Sequence, residues 1–448
     1  MRALGLIIVL NFCASSLFAR DLYVDPLTGD DKRDGTSATV VGETGPVKTI
    51  ARGVKLAQPG DTVHLAKHDQ PYHESVVFHN RHGEPGRPIT VDGHGATIDG
   101  CEPLVVADWQ EVAPGRYRKA KLLRTDEAVI GRYFMRFAGK MQHMGRSSKG
   151  TSAPLKTPDQ LQPGEWTWVA AEDAFYVQIA PGQSLAEARI ETPIRSSGVA
   201  ISGDCSQLVI RNLRCTHVYN DGFNIHGKTR DVRFEQVAAI ECGDDGVSAH
   251  GDCRIVVDGL ESIGNSTGMC HTNESHTDCR RVVIRDCLGF DYFMIGGGRH
   301  RLSDSVLHCR SEGAVRLLGD SMTGAPCVVE FENVAIQRLG GRKELVFGAG
   351  AEVTVKRLKL DGFGLSLSGN SCSLFDSVLG GGTAIEVTVY PQVKWQADRN
   401  IYDVRFLRFD KQFIGRDEFA TYQRERQQDT MSRWEKVEFA EPFTGERK

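Results

Sequence analysis

The sequence predicts an all-β solenoid, and three observations carry the prediction. A short apolar pattern returns through the second half of the chain: LVIRNL from Leu208, then VRFEQV, IVVDGL, VVIRDC, LSDSV, VEFENV, VTVKRL and LFDSV. The last apolar position of each copy falls at Leu213, Val237, Leu260, Cys287, Val306, Val334, Leu358 and Val378, in steps of 24, 23, 27, 19, 28, 24 and 20 residues. Alternating apolar residues indicate strands, and a near-constant period indicates one coil of a stacked array. No helical pattern of βαβ length separates the copies, which argues against a doubly wound sheet. Finally, 48 glycines with only 8% aromatic residues suit a turn-rich β chain. In such an array, residues one period apart lie directly above one another.

The elements follow in chain order. Arg2, an apolar run from Leu4 to Phe12 and the small residues Ala14, Ser15 and Ser16 read as a secretory signal peptide, residues 1–19, cut after Ala19. The mature chain is expected to be exported, to the periplasm or beyond the cell. No later segment is apolar for long enough to span a bilayer. A net charge of -4 is no electrostatic footprint for nucleic acid. Of the 12 cysteines, Cys13 lies in the signal, which leaves an odd number whose spacings match no zinc pattern. Cys215, Cys242, Cys253, Cys279 and Cys287 are read as small apolar core residues rather than as bridges.

Residues 20–103 form an amino-terminal cap and first coils. Thr49 caps a short helix carrying Ile50, Val54 and Ala57, and Pro59-Gly60-Asp61 ends it. Strands follow at 62–65, 89–91 and 96–98. An amphipathic helix at this place covers the open end of a solenoid core. The segments LYVDPLTGDDKRDGT, GPVKTIARGVKLAQPGDTVHLA, PYHESVVF and GRPITVDGHGATIDG resemble the cap and first coils of secreted right-handed parallel β-helix proteins of the pectate-lyase-like superfamily. That superfamily includes polysaccharide lyases and glycoside hydrolases. The resemblance implies a right-handed parallel β-helix; many activities share this opening, so it does not select one.

Residues 104–192 interrupt the pattern as a small β insertion, with WTWVAAEDAFYVQI reading as a hairpin. Its Trp109, Tyr117, Trp166, Trp168, Phe175 and Tyr176 can form the insertion's own core or offer flat faces to sugars. Coils resume over 193–385. Residues 386–448 form the last coil and a second cap, with an amphipathic helix over 417–428 carrying Phe419, Tyr422 and Arg426. The stretches WQADRNIYDVRF and RQQDTMSRW resemble the closing segment of the same proteins.

Three successive coils contain NDGFNIHG (220–227), DDGVSAHG (244–251) and STGMCHTN (266–273). Alignment on Gly222, Gly246 and Gly268 places Asp221 on Asp245, Asn220 on Asp244 and His226 on His250, at the ~4.8 Å spacing of adjacent strands. Carboxyls that close cannot all ionise freely; one is pushed up while another stays charged. Such a divided pair suits acid–base chemistry near neutral pH. Calcium ligation by Asp221, Asp244 and Asp245 is the other chemistry open to the cluster. Asn-Asp-Gly and Asp-Asp-Gly are also ordinary turn formers.

Alternation puts Phe223, Ile225, Val247 and Ala249 inside the coils, and Asn224, His226, Ser248 and His250 outside. Arg316 also faces outward, three coils further on, where it can meet an acidic sugar. His271 and His276 lie in a longer polar segment within reach of the same groove, although alternation turns His271 inward. Gly296-Gly297-Gly298 reads as a bend, and His79, His82 and His94 are given no role.

The NDG and GDDG segments resemble the first two motifs of polygalacturonase-type glycoside hydrolases. The third, histidine-bearing motif and the later basic motif have no counterpart here. The resemblance implies a glycoside hydrolase acting on a polysaccharide or oligosaccharide, with Asp221 and Asp245 as the carboxyl pair and Asp244 as a third candidate. His250 completes the expected catalytic set; Asn224, His226, Ser248, His271 and Arg316 are the expected substrate contacts. The alternatives are a polysaccharide lyase using calcium and a basic residue near Lys228, Arg230 or Arg254, and a non-catalytic glycan-binding β-helix. No other cofactor is expected, and the chain is expected to be a monomer.

Overall fold

The computed structural model describes residues 19–440 and Phe443; apart from Ala19, the expected signal peptide lies outside the described residues. Parallel strands wind through about nine turns of a β-solenoid. Successive turns pair in register: Phe223 beside Val247, Val247 beside Met269, Met269 beside Tyr292 and Tyr292 beside Val315. Their inward side chains form one continuous apolar column from Leu22 to Tyr422. Each buried valine, leucine or isoleucine of that column contributes about 1.5–3 kcal/mol relative to exposure. All eleven described cysteines are buried and unbridged, as their reading as core residues requires.

The repeat has a backbone origin. At one equivalent corner of each coil a residue adopts the left-handed conformation: Asn212, Gln236, Gly259, Arg281, Asp304, Asn333, Arg357, Asp376 and Arg399, with φ between 48° and 81°. Each breaks the extended strand and turns the chain toward the next face of the coil. The residue that follows points inward, and it sets the true period. Leu260 therefore pairs with Val282, not with Cys287. The backbone N–H groups of Val282 and Leu358 in turn donate to Ser305 Oγ and Ser377 Oγ, each at 3.0 Å. Cys287, Val306 and Val378 were thus out of register in the sequence alignment. Arg280-Arg281 hides the fourth copy, and two buried serines replace apolar residues in the copies at 305 and 377.

Both caps form as expected. The helix Ile50–Leu56 begins at Thr49, whose side chain accepts the Arg52 N–H at 3.1 Å, and it buries Ile50, Gly53 and Val54. At the other end the helix Phe419–Arg426 buries Phe419 and Tyr422. Phe419 packs edge-on against Tyr402 and Trp434, with ring centroids 5.8 and 5.2 Å apart.

The insertion consists of two four-stranded antiparallel sheets. Its pairing begins earlier than 104, because Cys101–Pro103 runs antiparallel to Ile190–Pro193. The expected hairpin is present as Glu165–Val169 against Ala174–Gln178. A helix at Glu127–Arg132, capped by Asp126, was not foreseen. Trp109, Trp166 and Phe175 are buried in a separate apolar core, with Tyr117, Trp168 and Tyr219 of the solenoid packed against it. Tyr176 is buried in a neighbouring cluster. These rings are therefore the insertion's core, not a sugar platform.

Candidate functional site

The acid cluster lies where three coils turn sharply into the strands beginning at Phe223, Asp245 and Thr267. Glycine is required at this corner by proximity: a Cβ at Gly246 would fall 2.5 Å from the Gly268 carbonyl oxygen and against Ser262 Oγ. This tight stacking brings the predicted acids together. Carboxylate oxygens of Asp221, Asp244 and Asp245 all lie within 4.8 Å of one another. The Asp245 backbone N–H donates to Asp221 Oδ1 at 3.0 Å, and Asn220 Nδ2 donates to Asp221 Oδ2 at 3.1 Å.

The cluster is not an open cleft. Asp245 is 1% exposed, Asp221 3% and Asp244 7%. A hairpin-like loop of the insertion, closed by Arg146 opposite Ser152, lies over them. From it Lys149 Nζ donates to Asp244 Oδ1 and Asp245 Oδ1, each at 2.6 Å. Ser148 Oγ donates to Asp244 Oδ1, and Arg132 Nη1 reaches Asp244 Oδ2 at 3.3 Å. A further anchor is Ser148 N–H, which donates to Ser266 Oγ at 2.9 Å. Gly150 lies against Gly289, where a Cβ would fall 3.0 Å from the Gly289 Cα.

These contacts divide the three carboxyls electrostatically. Burial lifts Asp221 well above the usual carboxylate range, and the neighbouring Asp245 and Asp244 lift it further. Burial, followed by the charge on Asp244, pushes Asp245 up to about 7. Burial opposes ionisation of Asp244 as well, but Lys149, Ser148 and Arg132 outweigh it and hold this group below its ordinary value. Lys149 is itself desolvated, yet Asp245 and Asp244 hold it above the ordinary lysine range, as a firm cation. Its ammonium stands between the carboxylates where a calcium ion would sit. Calcium needs six to eight oxygen ligands, so it fits this cluster only if Lys149 leaves.

The imidazole ladder is present. His226 and His250 stack with centroids 4.6 Å apart and planes inclined by 14°. His226 is exposed, while His250 is partly covered and bonded to Ser248 Oγ at 2.6 Å and Thr272 Oγ1 at 2.9 Å. Burial, then the neighbouring His226 and Lys149, lowers His250 to about 4, so it is neutral at physiological pH.

Asn224, Ser248, Cys270, Phe293 and Arg316 form one lateral column on the outer wall. Ser248 within it is fully buried, whereas Arg316 is exposed as expected. His271 is a correction: it lies opposite Ala249 and Met294 on the inward face, is fully buried, and stacks near His300 at 5.7 Å. Strand parity removes it from any substrate groove.

Arg132, Ser148 and Lys149 were missed. They belong to the insertion, far from the repeats, and no periodic signal ties them to the acids. A surface groove of about 680 Å³ lies elsewhere on the solenoid, lined by His94, Arg214, Gln236, Glu261 and Arg281 among others.

No family model and no curated protein matches the chain. Among solved structures it is similar to a complex of XylC with xylose, at 10% identity and a TM-score of 0.45, over 88% of this chain and 76% of that one. A glycoside hydrolase aligns at 11% identity and a TM-score of 0.40, over 87% and 96%. A GH136 lacto-N-biosidase from Eubacterium ramulus aligns at 12% identity and a TM-score of 0.37, over 93% and 68%. Likenesses at this level carry no argument about activity. The strand pairing itself establishes a parallel β-solenoid, and the side-chain contacts show its insertion closing the Lys149 ammonium over a cluster of three carboxyls.

Proposed function

We propose that the protein is an exported carbohydrate-active enzyme, a glycoside hydrolase using Asp244 and Asp245 as its carboxyl pair on a polysaccharide or oligosaccharide. The observation that supports this most is the opposite displacement of two adjacent carboxyls. Asp244 is held ionised, and Asp245 is pushed up to about 7. A hydrolase needs one of each. Asp245 donates its proton to the glycosidic oxygen as that bond breaks, and Asp244 attacks the anomeric carbon. Water then cleaves the glycosyl–Asp244 ester, with the Asp245 carboxylate taking the water's proton.

Oxygens within 4.8 Å favour this retaining route over inversion, which needs ~6.5–9.5 Å to seat a water. Asp221, protonated beneath them, is a positioning residue. His226, neutral His250, Asn224 and Arg316 line the wall along which sugar hydroxyls or carboxylates bind. Substrate reaches the acids when the 147–151 loop lifts and carries Lys149 and Ser148 away, which leaves Arg132 of the helix Glu127–Arg132 as the charge that keeps Asp244 ionised. The lyase alternative places its base near Lys228, Arg230 or Arg254, of which Arg230 is paired with Asp252.

A second reading rests on burial. With Asp245 1% exposed and Lys149 bonded to two carboxylates, the cluster can be a clasp fastening the insertion to a non-catalytic glycan-binding solenoid. One experiment separates the readings: digest a panel of neutral and uronate-bearing glycans with wild type and Asp245→Asn. The hydrolase reading expects new reducing ends, reduced about 10²–10⁴-fold in the variant. Retained glycan affinity without turnover on any substrate supports the clasp. An unsaturated product absorbance that needs calcium returns the lyase.

A further inference from the structure

Away from the acid cluster, two histidines on the first coils meet nitrogen to nitrogen. His64 stands on the strand Thr62–Leu65. His94 sits at φ 50° in the bend of Ile89–Asp99, flanked by Gly93 and Gly95. His64 Nδ1 and His94 Nε2 are 2.8 Å apart, with ring centroids 5.1 Å apart and planes inclined by 20°. That combination places the rings tip to tip in nearly one plane, each aiming a nitrogen at the other.

A carboxylate stands behind each ring. Asp21 Oδ1 lies 2.8 Å from His64 Nε2, and Asp92 Oδ1 lies 3.6 Å from His94 Nδ1. Asp92 is itself fixed by Arg211 Nε at 2.7 Å and Asn212 Nδ2 at 3.0 Å. Asp21 favours an N–H on His64 Nε2, which leaves the His64 Nδ1 lone pair facing His94. In the chain without metal, a proton on His94 Nε2 bridges the 2.8 Å gap as a hydrogen bond to that lone pair. The same two converging nitrogens can instead share a cation.

We propose that a divalent transition metal of the zinc class takes the place of that proton, bound by His64 Nδ1 and His94 Nε2, because these nitrogens and Asp92 converge on one point. A ligating imidazole whose far nitrogen donates to a carboxylate is the arrangement that fixes tautomer and ring orientation in metal sites. Here His64 has it, through Asp21. Tyr23 stacks on His64, with centroids 5.2 Å apart, and holds that ring in place. Asp92 offers a carboxylate oxygen within 4.8 Å of a nitrogen of each ring as a third donor.

Tetrahedral zinc with bonds of ~2.0–2.1 Å places two nitrogens ~3.3 Å apart, so the rings must part by about half an ångström. His94, with a side chain 49% exposed, is the ring free to move. Water fills the remaining coordination.

The test is calorimetric titration of zinc into the chelator-stripped full chain at neutral pH, with cobalt absorption as a second readout. Wild type is expected to bind one zinc per chain and to give tetrahedral cobalt bands. His94→Ala should weaken binding at least 100-fold and lose the bands. Asp21→Asn, which removes only the group behind His64, should weaken binding about 10–100-fold. His94→Asn, which tolerates the left-handed backbone, replaces the alanine variant if that one melts early. No zinc binding by wild type, or equal affinity in the His94 variant, overturns the proposal.

Discussion

Replacement of Lys149 by methionine removes the charge over the acid cluster while keeping most of the hydrocarbon stem. The Lys149 side chain is 23% exposed, and its partners Asp244 and Asp245 are 10% and 2% exposed. Breaking a buried ion pair from one side costs about 3–5 kcal/mol, because the remaining charge stays desolvated. At ~2.1 cal/mol/K per residue, 448 residues unfold with an entropy of about 0.9 kcal/mol/K. The variant should therefore melt about 3–6 °C below wild type at pH 8.

The deficit depends on pH with a definite sign. Without the ammonium, the folded-state pKa of Asp245 rises further above the unfolded value near 3.9, and that of Asp244 rises from below it as its main stabilising charge is lost. Stability from such groups is fully present below that value and is lost as pH rises through the folded pKa. Calorimetric melts at pH 4, 6 and 8 should show the gap to wild type widening with pH. A gap of equal size at all three, or none at pH 8, would refute the electrostatic account of the cluster.

Two further perturbations probe the coils. Burial lifts Asp291 to about 7 against the hydrogen bond from Ser311, so its contribution to stability is lost as pH rises toward 7. Asp291→Asn should therefore gain on wild type in Tm steadily from pH 4 to pH 8; a pH-independent difference contradicts this. Gly246→Ala drives a methyl into Ser262 Oγ and the Gly268 carbonyl. It should cost about 1–3 kcal/mol in denaturant unfolding, and a neutral effect would mean that the corner relaxes freely.

Much of this architecture is legible in the residues because a solenoid writes its register into its period. Asp221 over Asp245 and His226 over His250 follow from two glycines alone, and the pairing bears them out. The slips have local causes. The left-handed residue of each coil can be Asn, Gln, Gly, Arg or Asp, so it leaves no single-letter mark. Arg280-Arg281 masks one apolar copy, while VVIR one strand later imitates it. The cover of the site was illegible for a different reason. Lys149 meets Asp244 across 95 residues of chain, from a non-repeating insertion, and only tertiary packing brings them together. Stacked acids were visible in the sequence, but their exposure was not.

Carboxyl-selective carbon NMR across a pH titration tests the central claim most directly, with Asp221→Asn, Asp244→Asn and Asp245→Asn assigning the signals. The account predicts that Asp244 stays ionised to below the ordinary aspartate range, Asp245 titrates near 7 and Asp221 keeps its proton well above that range. Three carboxyls titrating together near 4 would contradict it.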